Sequence, residues 1–393
     1  MRAFRRIPLL LGGAVTAVVL AAAGPAVAGT ASHTAVRRHV AISSILRPGN
    51  IVTGVRGASR GNVILTGSAA TGNGAATLPF LFRGRLRAAA GAAVSTLTPA
   101  FRGLTSATFY GPDTHRFNPR AIPVGQVRAV GSYQSSAAPS GVINLGMIYR
   151  GPVRGRSGSW TSVSVPAHGA RTTGHLRACP RRRPRCIVMD TIPHSTMGDL
   201  VVGDYDLNPS VRGGVISANA FIYNMSRRQW TLLRLGGSQS SQTTLYGIWQ
   251  DGGPGSAIYT LAGGSRASGA KRAFLMNYNE RTRKFGRPRY FSYGNRPTLA
   301  THFEGITAVP GGFHVVAISS AQQAAMAFIP ARARRGLFGR ARWFPAKVAA
   351  SSLCPGGCGV VTGNTVYRNN IMGLYIPTGT TGLHTYLATF SGR

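Results

Sequence analysis

The stretch Thr301-His302-Phe303-Glu304-Gly305 has two close relatives in the same chain, Ala107-Thr108-Phe109-Tyr110-Gly111 and Thr243-Thr244-Leu245-Tyr246-Gly247. Weaker copies are Ile51-Val52-Thr53-Gly54, Ser195-Thr196-Met197-Gly198 and Val360-Val361-Thr362-Gly363. The closing glycines lie at 54, 111, 198, 247, 305 and 363, so the intervals are 57, 87, 49, 58 and 58 residues. Self-similarity at such a period marks an array of supersecondary units.

Each copy is followed by similar material. A second run ends in glycine: VILTG (63–67), VRAVG (127–131), LVVG (200–203) and YTLAGG (259–264). A third is aromatic and aliphatic: LPFLF (78–82), LGMIY (145–149), NAFIYN (219–224), RAFLMNYN (272–279) and MAFIP (326–330). Several copies add a fourth, such as SWTSVSVP (159–166), QWTLLRL (229–235), KFGRPRYFSY (284–293) and ARWFPA (341–346). Short β-branched or aromatic runs between Gly, Pro, Asn and Ser are strands joined by tight turns. No stretch carries a capped helical period, so helices should be few.

Four strands per 50 to 60 residues is the composition of a β-propeller blade. A β-sandwich explains strands but not six spaced copies, and a β-helix needs a shorter repeat. The sequence therefore predicts an all-β propeller of six blades, with five or seven as alternatives. The last copy supplies only three strands, and residues 39–46 (HVAISSIL) are available to complete it and close the ring.

The 87-residue interval exceeds its neighbours by about thirty residues, centred on 167–188. Within this excess lies Cys179-Pro-Arg-Arg-Arg-Pro-Arg-Cys186, an insertion outside the repeating core that should project from one face. Arg181, Arg182, Arg183 and Arg185 make it a candidate anion-binding loop.

The N-terminus expects export. Arg2, Arg5 and Arg6 precede an apolar run from Ile7 to Ala23, and Ala26-Val27-Ala28 has the small-x-small pattern of a signal-peptidase site. The expected organisation is a signal peptide over 1–28 and one propeller domain over 29–393, secreted without a transmembrane anchor. In that compartment the four cysteines favour disulfides over free thiols. Three connectivities are possible; the simplest is local, Cys179 with Cys186 and Cys354 with Cys358. A four-cysteine zinc site is the alternative, but a gap filled with arginines fits structural zinc spacing poorly.

The 45 Lys and Arg face only 8 Asp and Glu, for a formal charge of +37, which is +34 without Arg2, Arg5 and Arg6. Only Lys271, Lys284 and Lys347 are lysines. Arginine over lysine is what a GC-rich genome produces; the shortage of acids is not explained that way. Such an imbalance creates a positive field that draws polyanions and weakens with salt. A basic surface suited to an acidic or low-salt habitat is the plainer account. For an exported protein the expected partners are acidic polysaccharides or cell-wall polymers. No groove-reading helix or aromatic stacking platform accompanies the charge, so dedicated nucleic-acid recognition is not expected.

The repeat places Thr53, Tyr110, Met197, Tyr246, Glu304 and Thr362 at one equivalent position, facing the central channel if that strand is innermost. Glu304 is then a lone carboxylate, with His302 two positions away on the same face of its strand. A propeller glycosidase needs two carboxylates bracketing the scissile bond, and Asp199, in GDLVVGDYD (198–206), is the candidate partner. His194 and His302 fall near equivalent positions. Trp249, in YGIWQDGG (246–253), is a candidate for sugar stacking, with Tyr110 and Tyr246 as further binding candidates. Histidines without metal spacing, and no GxSxG elbow or phosphate loop, leave no expected metal or cofactor.

At LVVGDYD (200–206) with NAFIYNMSRRQWTLL (219–233), and at YTLAGG (259–264) with KRAFLMNYN (271–279), the chain resembles the bacterial extracellular repeats named for a His-Ala-Phe motif. Asn219-Ala220-Phe221 and Arg272-Ala273-Phe274 stand where those repeats have His-Ala-Phe. The resemblance implies an exported, β-rich repeat protein and carries over no catalytic residue.

Two functions are thus expected. The first is a secreted propeller that binds anionic polymers through its arginine-rich surface. The alternative is a carbohydrate-active hydrolase or lyase built on Glu304, with His302 and Asp199.

Overall fold

The computed structural model describes residues 40–72, 76–154, 157–167, 178–179, 186–208, 218–235, 242–266, 270–320, 324–332 and 336–391. The expected leader and Arg181, Arg182, Arg183 and Arg185 lie outside the described residues. The chain forms six antiparallel sheets arranged as the blades of a propeller.

Blades 1 to 5 each run outward from an inner strand: Asn50–Gly57, Leu104–Thr114, Val188–Met197, Gln242–Gln250 and Thr301–Val309. In blade 3, for example, Val188–Met197 pairs with Leu200–Leu207, which pairs with Asn219–Asn224, then Gln229–Leu233. In blades 4 and 5 the outer edge is split into two short segments. Blade 6 is closed by the N-terminal segment. Val40–Ile45 adds to His384–Phe390 in the register Val40↔Phe390 to Ile45↔Thr385, so the two ends of the chain lie side by side. Supplying the outer strand of the last blade from the other end of the chain ties the ring shut, and leaves only short, protected strand edges.

Apolar residues alternate along each strand and meet those of the next blade. Met197, Leu200 and Val202 of blade 3 pack with Leu245, Tyr259 and Leu261 of blade 4. Ile45, Val52 and Phe80 pack with Met372 and Leu387, which seals blade 1 to blade 6. Both expected disulfides are formed, Cys179–Cys186 and Cys354–Cys358. Among the described residues no helix is long and apolar enough to cross a membrane.

The inner strands share a bulge. Pairing with the second strand slips by one residue between Val52 and Gly54, Phe109 and Gly111, Pro193 and Ser195, Leu245 and Gly247, and Phe303 and Gly305. The residues that the register skips are Thr53, Tyr110, His194, Tyr246 and Glu304. A bulge re-aims its side chain, and here it turns each toward the channel. In blade 6 the inner strand is interrupted at Thr362, whose hydroxyl donates to Asn364 Oδ1 at 2.6 Å.

The glycine after the bulge is required by close approach. A Cβ on Gly54 would stand 1.9 Å from the carbonyl oxygen of Tyr110 in the next blade, and one on Gly111 would stand 2.7 Å from that of His194. Blade 3 corrects the sequence reading here. Its equivalent residue is His194, followed by Ser195, and not Met197 followed by Gly198. Gly198 is the hairpin glycine, at φ +61°, and Met197 is a buried core side chain, 2% exposed. A reading keyed to glycine selects the wrong one, because blade 3 tolerates a serine where its neighbours need a bare backbone.

Candidate functional site

The inner strands all begin at one end of the channel and finish at the other. Along the channel, the bulge residues of blades 2 to 5 and the strand residues beside them form a continuous array. The ring of Tyr110 lies 4.9 Å from that of His194. His194 stacks on Tyr246 at 3.6 Å, and Tyr246 meets His302 at 4.4 Å. All four side chains are buried or half-buried.

Each imidazole is tied to a carboxylate. His194 Nε2 lies 2.6 Å from Asp204 Oδ1, and His302 Nδ1 lies 2.8 Å from Glu304 Oε1. The hydroxyl of Thr244 contacts the other ring nitrogen of His302. Burial, reinforced by Lys271, lowers the His302 pKa, which favours the neutral ring. The neutral ring takes Thr244 at Nε2, while Nδ1 lies close to the Glu304 carboxylate without the alignment of a hydrogen bond.

Asp190, at the start of the blade 3 inner strand, accepts from Asn144 Nδ2 at 2.6 Å. Burial raises its pKa, and the nearby Asp204 adds to the rise. Tyr110 is pushed up to about 12, mainly by burial with Asp204 and Asp190 contributing. Tyr246 is raised further, by burial and the fields of Asp204 and Glu304. Both therefore remain neutral phenols that can donate. Lys271, in the connection entering Arg272–Asn279, is 9% exposed. Burial lowers its pKa, against the opposing pull of Glu304, Asp204 and Asp206.

Four of the eight acids in the chain, Asp190, Asp204, Asp206 and Glu304, thus converge on one channel mouth. The arrangement has donors and acceptors in close alternation, and is suited to binding a polar molecule or to proton transfer. Among the described residues no three His, Cys, Asp or Glu side chains are grouped as a metal would need.

The structure brings Tyr110, Tyr246, His302 and Glu304 together, and leaves Asp199 and Trp249 elsewhere. Asp199 sits in the hairpin Met197–Leu200, at the end where the inner strands finish. Its side chain is 41% exposed, receives the Ser226 hydroxyl at 2.6 Å and lies 3.9 Å from Arg128. Its contacts are with Ser226 and Arg128 and not with Glu304, while Asp204 stands beside the imidazole of His194. Trp249 is at the same far end, with Phe117 edge-on at 5.4 Å and the Arg56 guanidinium 5.5 Å from its ring centroid. It packs within the protein and does not offer a free sugar-stacking face.

His194, Asp190, Asp204, Asp206, Thr244 and Lys271 complete the site, and the sequence reading placed none of them there with assurance. Two signals were present. His194 falls in line once the third copy is shifted by three residues, and Lys271 is one of only three lysines in the chain.

No protein-family model matches the sequence, and no curated protein matches it. In structure the chain is similar to a protein of unknown function from Dyadobacter fermentans, with a TM-score of 0.53 and 10% identity over 90% of this chain and 99% of that one. A luciferin-regenerating enzyme aligns with a TM-score of 0.44 and 8% identity over 90% and 98% of the two chains. An α-L-arabinofuranosidase from Fusarium graminearum, solved with an iminosugar inhibitor, aligns with a TM-score of 0.44 and 11% identity over 87% and 93%. The first likeness shows a shared fold. It carries no activity to this chain.

Proposed function

We propose that this protein is an exported propeller that holds acidic polymers against an arginine-rich exterior. One observation carries the reading: opposite charges are segregated. Half of the carboxylates are gathered at the channel mouth, while arginines such as Arg83, Arg85, Arg87, Arg287, Arg289 and Arg342 stand exposed. Among the described residues the only Arg or Lys within 4.0 Å of a carboxylate is Arg128, beside Asp199. The outward guanidinium groups are therefore not neutralised internally, and they are forked donors matched to carboxylate, sulfate or phosphate groups. The arginines of the Cys179–Cys186 loop add to the field by their charge.

Each contact of this kind is weak in water, so affinity must come from many at once and must fall as salt screens them. The test is binding of the purified protein to acidic and neutral polysaccharides at low and high salt. Binding confined to the acidic polymers and lost at high salt is the expected result. Equal binding to a neutral polymer, or indifference to salt, overturns the reading.

A further inference from the structure

Lys271 is the least explained group in the molecule. Its side chain lies against Gly264, beside the His302 ring: a Cβ on Gly264 would stand 2.7 Å from Lys271 Cε and 2.3 Å from His302 Cδ2. Glu304, Asp204 and Asp206 act on its charge, yet no ion pair within 4.0 Å includes it. Among the described residues, the buried polar atoms of this mouth that lack an aligned hydrogen-bond partner include His194 Nε2, Asp204 Oδ1 and His302 Nδ1. Buried polar groups are almost always partnered, and the exceptions call for an explanation. Here three such atoms stand in the same channel mouth, beside Lys271 and Tyr246.

We propose that this mouth is a binding site for an uncharged, hydroxyl-bearing ligand, a single sugar unit being the simplest. Lys271 and Tyr246 serve as donors to it, and the Glu304 and Asp204 carboxylates as acceptors. The charges of the lining select this class. Four carboxylates oppose an anion, and a buried ammonium in their midst opposes a second cation. A hydroxyl both donates and accepts, so it meets a lysine on one side and a carboxylate on the other. His302 and His194 each engage one oxygen of their carboxylate, leaving the second to accept. Toward the other end the guanidinium of Arg56 reaches from blade 1 to Trp249 in blade 4. This site is separate from the exterior proposed to hold acidic polymers, and either can fail without the other.

The experiment is titration calorimetry of the full chain at high salt, where exterior attraction is screened. The probes are methyl glycosides of neutral hexoses and pentoses, with glucuronic acid and glucosamine as charged counterparts. A neutral glycoside is expected to bind with the same Kd at low and high salt. Lys271→Met and Glu304→Gln are each expected to weaken it about tenfold or more, and Tyr246→Phe severalfold. Thermal melts establish that each variant is folded; should Lys271→Met not fold, Glu304→Gln and Tyr246→Phe decide. No binding by any neutral glycoside, tighter binding of either charged sugar, or unchanged affinity in the folded variants overturns the proposal.

Discussion

The guanidinium of Arg56 lies over the ring of Trp249, 5.5 Å from its centroid, although the two residues belong to blades 1 and 4, on opposite sides of the ring. On the way it donates from Nε to the Pro112 carbonyl in blade 2 and from a terminal nitrogen to the Thr196 carbonyl in blade 3, both at 3.2 Å. One side chain thus joins four blades and closes one end of the channel.

Replacing that side chain should loosen the whole ring. Arg56 is 5% exposed and faces the fully buried Asp113. Removing a buried guanidinium strands the two carbonyls it holds, and hydrogen bonds to a charged group are each worth about 1.5 to 3 kcal/mol. Arg56→Met is expected to lower the stability by about 3 kcal/mol, read from the midpoint and slope of urea unfolding. A loss below about 1 kcal/mol would mean that the bolt is dispensable.

Asp113 gives the fold a pH dependence of defined sign. Burial raises its pKa from 3.8 to about 6, outweighing the attraction of Arg56 and Arg128. The folded state therefore holds this proton more tightly than the unfolded chain. The stabilisation is full below about pH 4 and is lost as pH rises through about 6, by up to about 3 kcal/mol. Asp190 shifts in the same direction. Asp113→Asn should flatten the decline in unfolding free energy between pH 4 and 7.5. A decline of undiminished slope would assign it to other groups.

The glycines after the bulges are not equivalent. A Cβ on Gly54 would fall 1.9 Å from a backbone oxygen, which cannot retreat, whereas one on Gly305 would meet nothing closer than 3.4 Å. Gly54→Ala is expected to cost about 3 kcal/mol through forced separation of blades 1 and 2, and Gly305→Ala less than about 1 kcal/mol. Thermal melts of the pair side by side would check this ordering.

Ring closure depends on seven residues far from the rest of their blade in sequence. Removing the segment 40–46 strips the outer strand from His384–Phe390 and takes Ile45 and Leu46 out of the blade 1–6 core. The shortened chain should melt at a lower temperature with a broader transition. Its exposed strand edge should also make it associate, as seen by light scattering. A monomer with unchanged melting would show that closure is not needed.

Glu304 and the exterior should be separable. Glu304→Gln alters the channel mouth but none of the outward arginines, so binding of acidic polymers should stay within about twofold of the parent, while any turnover of a glycan at the mouth should be lost. A marked loss of polymer binding in this variant would place the polymer in the channel.

The sequence by itself determined the class of fold and pointed to six blades and to the source of the closing strand; the count was settled by the structure. Those properties are written in local pattern: short β-branched runs, turn residues between them, and a repeating glycine where two backbones touch. It also put Tyr110, Tyr246 and Glu304 on one inner position, since a bulge repeats with its blade. The tertiary structure alone decided the rest of the site. Asp204 and Lys271 reach Glu304 from other blades, and no spacing along the chain encodes a distance across a ring. Asp199 illustrates the converse. Near Asp204 in sequence, it lies at the opposite end of the channel, because a strand carries its two ends apart while closure of the ring brings separate blades together.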